Sequence, residues 1–187
     1  MSDPDQSIFY RSSGLICGTY LPSEDDLAQG VLMTDLGLFP ATVSQEILRF
    51  LTRNPKKKTI KRKHHFICWV HGLPEAPYYQ LYLIGRKGKK KLPELFSENN
   101  TFLSQGIVTE RSSERVILRV QKNPRPNRDS QEIEDSINHL QIKDCPGKVR
   151  NSQFWSIRSR LKEGFLHYQS GELLAKAQVA KSYLKIL

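Results

Sequence analysis

No stretch of this chain approaches the ~18 consecutive apolar residues that a membrane span requires, so the membrane drops out of the expected partners. Its opening residues, MSDPDQS, lack the basic and apolar regions of a secretion signal, and the expected location is cytoplasmic. Cysteine is scarce and odd in number, with Cys17, Cys68 and Cys145 far apart. That excludes a disulfide framework and predicts buried free thiols. The chain also lacks a Walker loop, a dinucleotide fingerprint and a nucleophile elbow. It has no RNA-recognition octapeptide, KH-type loop or zinc knuckle. His64, His65, Cys68 and His71 do not have the spacing of a zinc site, and in a strand His65 and His71 stand about 20 Å apart. No metal or other cofactor is expected. The carboxylates concentrate in SEDD at 23–26 and QEIEDS at 131–136, surface-like segments rather than the convergent acids of a metal-dependent nuclease.

Positive charge is abundant and unevenly placed. Residues 1–52 carry two basic and seven acidic side chains, 53–91 carry twelve and one, and 92–187 carry fifteen and eleven. The excess therefore sits in one central block, which points to a local polyanion site rather than general solubility. Two tracts make it up: RNPKKKTIKRK at 53–63 and RKGKKK at 86–91. Between them lie HHFICWVHG and YYQLYLIG, apolar runs of strand length carrying Phe66, Trp69, Tyr78, Tyr79 and Tyr82. Cationic loops at the ends of strands that display flat rings suit a phosphate backbone with stacked bases.

Short, alternating apolar runs dominate the rest. GLICGTY at 14–20, QGVLMTD at 29–35 and LFPATV at 38–43 read as strands, and Ser44 as the cap of a helix carrying Ile47, Leu48, Phe50 and Leu51. FLSQGIVTE and ERVILRVQ read as a hairpin, followed by the apolar-poor NPRPNRDSQEIEDS at 123–136, expected to be a loop, and by strands in NHLQIKD, FWSIRSRL and GFLHYQ. Apolar residues at helical spacing from Leu173 to Leu184 predict a C-terminal helix. The expected organisation is a tail at 1–13, a β-rich half at 14–98, a second β-rich half at 99–170 and a helix at 171–187.

Leu15–Tyr20 with LPSEDDLAQGVLMTD, FICWVHG, FLSQGIVTERSSERVILRVQKNPRP, LQIKDCPGKV and QFWSIRSRLKEG resembles, in that order, an uncharacterised cyanobacterial protein family. Relatives in that family carry RGRYLPSEE, LWVVYPR, F-x-I-x-G-V, V-x-V-K-I and a later G-x-F-W. The resemblance spans roughly residues 14–168 and implies a mainly β, OB-like barrel. It further implies two related halves, since Gly14-Leu15-Ile16 and Gly106-Ile107-Val108 open similar strand pairs. It lends no catalytic residues, and the lysine tracts at 56–63 and 87–91 and the helical tail depart from it.

The combined expectation is a mainly β barrel with one or two peripheral helices that binds single-stranded nucleic acid, RNA favoured, without catalysis. Lys56, Lys57, Lys58, Lys61, Arg62, Lys63, Arg86, Lys87, Lys89, Lys90 and Lys91 would neutralise phosphates, and Trp69, Tyr78 and Tyr82 would stack on bases. Alternation puts His65, Ile67, Trp69 and His71 on one face of their strand and Phe66, Cys68 and Val70 on the other, the core. Trp69 then either stacks bases or packs beneath the helix at 44–53. Tyr78, Gln80 and Tyr82 share a face on the neighbouring strand. Two alternatives stay open. One is an accessory protein subunit of a ribonucleoprotein such as a CRISPR effector complex. The other is a small metal-independent ribonuclease using His64 or His71 as general base.

Overall fold

A computed structural model describes residues 11–53, 62–76, 78–87, 98–121 and 130–175. The chain opens with β1 (Arg11–Pro22), β2 (Gln29–Thr34), β3 (Gly37–Val43), α1 (Gln45–Thr52), β4 (His64–Gly72) and β5 (Tyr79–Arg86). These five strands pair in the closed order β1-β2-β3-β5-β4-β1, with β3 and β5 parallel and the others antiparallel. The helix lies between β3 and β4 in sequence and turns Ile47 and Leu51 into the barrel core, while the Ser44 hydroxyl accepts the Ile47 N–H at 3.4 Å as its cap.

A second barrel follows: β6 (Thr101–Arg111), β7 (Arg115–Val120), the short helix α2 (Ser130–Glu134), β8 (Asn138–Lys143), β9 (Phe154–Lys162) and β10 (Phe165–Ala175). Its strands close in the equivalent order β6-β7-β8-β10-β9-β6, with β8 and β10 the parallel pair. Each ring is an OB-like barrel of five strands. The alternation legible in the sequence makes them: Phe66, Cys68 and Val70 on β4 and Val116, Leu118 and Val120 on β7 are all buried. Glu163 and Gly164 both have positive φ (49° and 78°), the requirement of the tight turn that joins β9 to β10.

The two barrels join through their first strands. The first half of β1 pairs antiparallel with the first half of β6, from Arg11↔Gln105 to Leu15↔Thr101. Further along, β1 pairs with β2 from Thr19↔Met33, and β6 pairs with β7 from Ile107↔Arg119. Gly18 and Gly106 therefore occupy corresponding positions, and each lets the next strand come close. A Cβ at Gly18 would meet the Met33 carbonyl, and one at Gly106 the Arg119 carbonyl. The expected correspondence of Gly14 with Gly106 is thus corrected. By register Gly14 matches Phe102, and these two residues pair with each other. The barrels are related by a pseudo-twofold axis through that pair, where the Phe102 ring fills the space a Gly14 side chain would need.

At the other end of the contact, side chains tie the halves together. Asn138, at the start of β8, accepts the Gly72 N–H at 2.6 Å and donates to the Val70 carbonyl at 2.9 Å. The Tyr79 hydroxyl donates to the Gln141 carbonyl at 2.6 Å and accepts the Leu166 N–H at 3.1 Å. It thereby bridges β8 and β10, two strands whose own register is short. Burial holds this phenol up at about 12, so it remains a donor throughout the neutral range. One hydrophobic cluster runs through both barrels, from Ile16 and Phe39 to Phe154 and Leu166.

Four further expectations are corrected. Strand β1 begins at Arg11, inside the tail expected at 1–13. Ser130–Glu134 is helical within the segment read as a loop. Glu172–Ala175 belongs to β10 rather than to a helix, while 176–187 lie outside the described residues. The apolar doublet Leu173–Leu174 imitates helical spacing because β10 is bulged: its register on β9 skips Gln169 and Leu174. The thiols are free, but only Cys68 is buried; Cys17 and Cys145 are half-buried.

If the Tyr79 hydroxyl and the Gly14 gap hold the halves together, Tyr79→Phe should cost about 1–3 kcal/mol by removing the partner of the buried Leu166 N–H and of the Gln141 carbonyl. Gly14→Ala should cost ~1–3 kcal/mol by overpacking against Phe102. The exposed Tyr82→Phe and the uncrowded Gly147→Ala should stay within about 0.5 kcal/mol. Urea unfolding followed by circular dichroism measures all four. Equal effects across the set would contradict the assignment.

Candidate nucleic-acid interface

Strand β4 presents His65, Ile67, Trp69 and His71 outward while Phe66, Cys68 and Val70 enter the core. Trp69 does not pack beneath α1: it is 54% exposed, and on the neighbouring strand its register partner Tyr82 is 39% exposed. Their rings stack with centroids 5.8 Å apart and planes 18° apart. Cross-strand aromatic pairs stabilise a sheet modestly, by about 0.2–1 kcal/mol, yet this one leaves much of two rings in water. Tyr82 is flanked on β3 by Thr42, whose hydroxyl donates to Gln29 Oε1 at 2.9 Å.

Not every residue expected here joins this pair. Tyr78 precedes β5 with φ 57° and lays its half-buried ring on Phe165 of the second barrel, 4.6 Å between centroids. It belongs to the contact between the halves and does not share the Gln80 and Tyr82 face. Arg86 also leaves that face. A bulge at Ile84 shifts the phase of β5, pairing Gly85 with Ile67 and Arg86 with Phe66. The Arg86 guanidinium then lies 3.8 Å from the centroid of the Phe50 ring on α1. Arg62 and Lys87 are exposed. Lys63 is exposed but paired with Asp35 at 2.6 Å, and this hydrogen bond raises its pKa. An ion pair so open to water is weak, and a phosphate can replace the carboxylate. Lys56, Lys57, Lys58, Lys61, Lys89, Lys90 and Lys91 lie outside the described residues.

Other cations come from the second barrel. Strand β4 runs from Trp69 toward β8, and at its end the Gly72 backbone abuts His139, leaving no room for a side chain. His139 pairs with Arg119 on β7, and Arg115 with Lys143. Arg115, Arg119, His139 and Lys143 occupy the outward positions of these strands. Arg115 and Arg119 alternate with the core residues Val116, Leu118 and Val120, and that alternation is the mark of this face in the sequence. Its nearness to β4 arises from the contact between barrels, which no local pattern reports. Arg111 is not part of it: its guanidinium donates to the carbonyls of Pro146 and Val149 at 2.9 and 2.7 Å and holds the loop after β8.

Among the described residues no group of three His, Cys, Asp or Glu side chains converges as a metal ion would require, and no helix is long and apolar enough to cross a membrane. A scan against protein-family models finds no match, and searches of curated proteins and of solved structures find none either.

Burial lowers the pKa of His71, so the imidazole beside the aromatic pair is predominantly neutral at pH 7 and adds no charge there. The folded state disfavours its protonation. Stability is therefore complete above the unfolded value of about 6.5 and declines as pH falls from there toward the lower folded value. Melting curves between pH 7.5 and 5.5 should show a smaller decline for His71→Gln than for the parent protein. An equal decline in the two would contradict this.

Proposed function

We propose that the protein binds single-stranded nucleic acid, RNA or DNA, and does not act on it chemically. One observation carries this reading: Trp69 and Tyr82 form a stacked, solvent-open aromatic pair on a rigid two-strand platform. Burying side chains of this size is ordinarily worth ~1.5–3 kcal/mol or more each. A sheet that exposes two together forgoes that stabilisation, and the solvent-open parts of a stacked pair suit bases that continue the stack. The cations Arg62, Lys63 and Lys87, with Arg115, Arg119 and Lys143 of the second barrel, support phosphate contacts.

Magnitudes assign the two contributions different tasks. Stacking is worth about 1–3 kcal/mol per base, so two bases supply ~2–6 kcal/mol. Micromolar affinity needs about 8 kcal/mol. The remainder falls to phosphate contacts, which lose strength with salt.

Tryptophan emission reports the platform selectively, because Trp155 is 3% exposed and Trp69 54%. Adding an oligouridylate or oligothymidylate should quench it. If about six phosphates are neutralised, log affinity should fall against log salt with a slope near −4. Trp69→Ala should weaken binding about 5- to 150-fold with the slope unchanged, and labelled strands should remain intact in magnesium, manganese or EDTA. Absence of quenching together with a flat salt dependence would overturn the proposal. Cleavage lost in His64→Ala or His71→Ala would replace it with a ribonuclease.

A further inference from the structure

The first barrel has a second outward surface, on β1, β2 and β3, whose chemistry does not suit a polyanion. Barrel strands alternate apolar inside with polar outside when the outer face meets water. Here the outward rows are Leu21↔Val31↔Pro40 and Met33↔Leu38. Leu38 is 60% and Met33 46% exposed, and Leu21 and Leu27 are also exposed. A groove of about 520 Å³ runs over this face, lined by Leu21, Pro22, Val31, Leu38, Pro40 and Gln80 among others.

The fold itself does not demand this. At the corresponding positions of the second barrel stand Arg119↔His139 in place of Met33↔Leu38, and Ile117↔Gln141 in place of Val31↔Pro40. The same architecture thus tolerates a charged face, and the apolar one is particular to the first barrel. It is bordered by exposed Glu24, Asp25 and Asp26, in a loop fixed by its own bonds: the Ser23 hydroxyl accepts the Asp25 N–H, and Asp26 Oδ1 accepts the Ala28 N–H at 2.8 Å.

We infer that this groove docks a basic amphipathic helix of another protein, its apolar stripe over Leu21, Met33 and Leu38 and its lysines or arginines against Glu24, Asp25 and Asp26. Three considerations select that occupant. β2 is held between β1 and β3, and β3 lies beside β5 over Ala41–Val43 with Pro40, which has no N–H to donate, next in line, so a partner binds this face through side chains, as a helix in a groove does. The carboxylates repel a phosphate backbone. They also disfavour any pairing of two copies that brings the acidic loops together. This inference is independent of nucleic-acid binding.

The chain has two methionines, Met1 and Met33, so [methyl-¹³C]methionine labelling makes Met33 a direct reporter. The probes are two short synthetic helices of identical pattern, one of leucine and lysine, the other of leucine and glutamate. The Met33 methyl resonance should shift saturably with the Leu/Lys helix and not with the Leu/Glu helix. The shift should disappear in Leu38→Asp and, separately, in Leu21→Asp, both exposed positions whose melting curves are checked in parallel. Glu24→Lys with Asp25→Lys should weaken binding at least tenfold. Four results would overturn the proposal: no shift, equal shifts with both helices, a shift produced by an oligonucleotide, or a shift with protein concentration alone. The third would assign the face to nucleic acid, and the last to a second copy.

Discussion

The arrangement depends on a steric constraint at one residue pair. Two barrels of identical connectivity meet along the first halves of β1 and β6, and the axis relating them passes through Gly14 and Phe102. At that point the Phe102 ring folds over the opposite strand and leaves no room for a second side chain. A glycine opposite a phenylalanine resolves the conflict, with the ring lying where the missing Cβ would project. From that pairing follow the shared core and the approach of β4 to β8. There Asn138 and Tyr79 satisfy backbone groups of the opposite strands. Buried polar groups left unpaired at such a contact would be costly, so these bonds fix the relative placement of the halves as well as stabilising it.

Because the halves share geometry, differences between corresponding positions reflect chemistry rather than fold. Ser13↔Trp69 and Trp69↔Tyr82 in the first barrel correspond to Thr101↔Arg160 and Arg160↔His167 in the second. Two open rings on one side thus match a guanidinium and an imidazole on the other, the latter bonded to Asp144 at 2.6 Å. The strand-two and strand-three faces diverge in the same sense, apolar in the first barrel and cationic in the second. On the proposed reading, each barrel lends one face to a polyanionic strand, and the first keeps another for a protein.

Much of this was legible from residues alone. The mainly β class, the helix capped by Ser44 and the inward set Phe66, Cys68 and Val70 followed from alternation and turn chemistry, whereas the barrel was implied by the resemblance. What escaped was phase and distance. One extra residue at Ile84 sends Arg86 to Phe50 instead of beside Tyr82, and the bulges of β10 disguise a strand as a helix. A bulge changes which face a side chain takes without changing composition, so periodicity cannot register it. Trp69 was ambiguous because its neighbours in sequence fit burial and exposure equally; only its register opposite Tyr82 decides. The correspondence of the halves was misplaced by four residues because glycines at 14, 18 and 106 look alike in sequence. They differ in what crowds them.

The central claim is that the Trp69 and Tyr82 rings are the contact surface for bases. Ultraviolet crosslinking of the full chain to a photoreactive oligouridylate, followed by mass-spectrometric mapping of the modified peptides, tests it most directly. The account predicts crosslinks at Trp69 and Tyr82, with additional ones on the outward residues of β7 and β8. Crosslinks confined to the Leu21, Met33 and Leu38 face, with none at Trp69 or Tyr82, would contradict it.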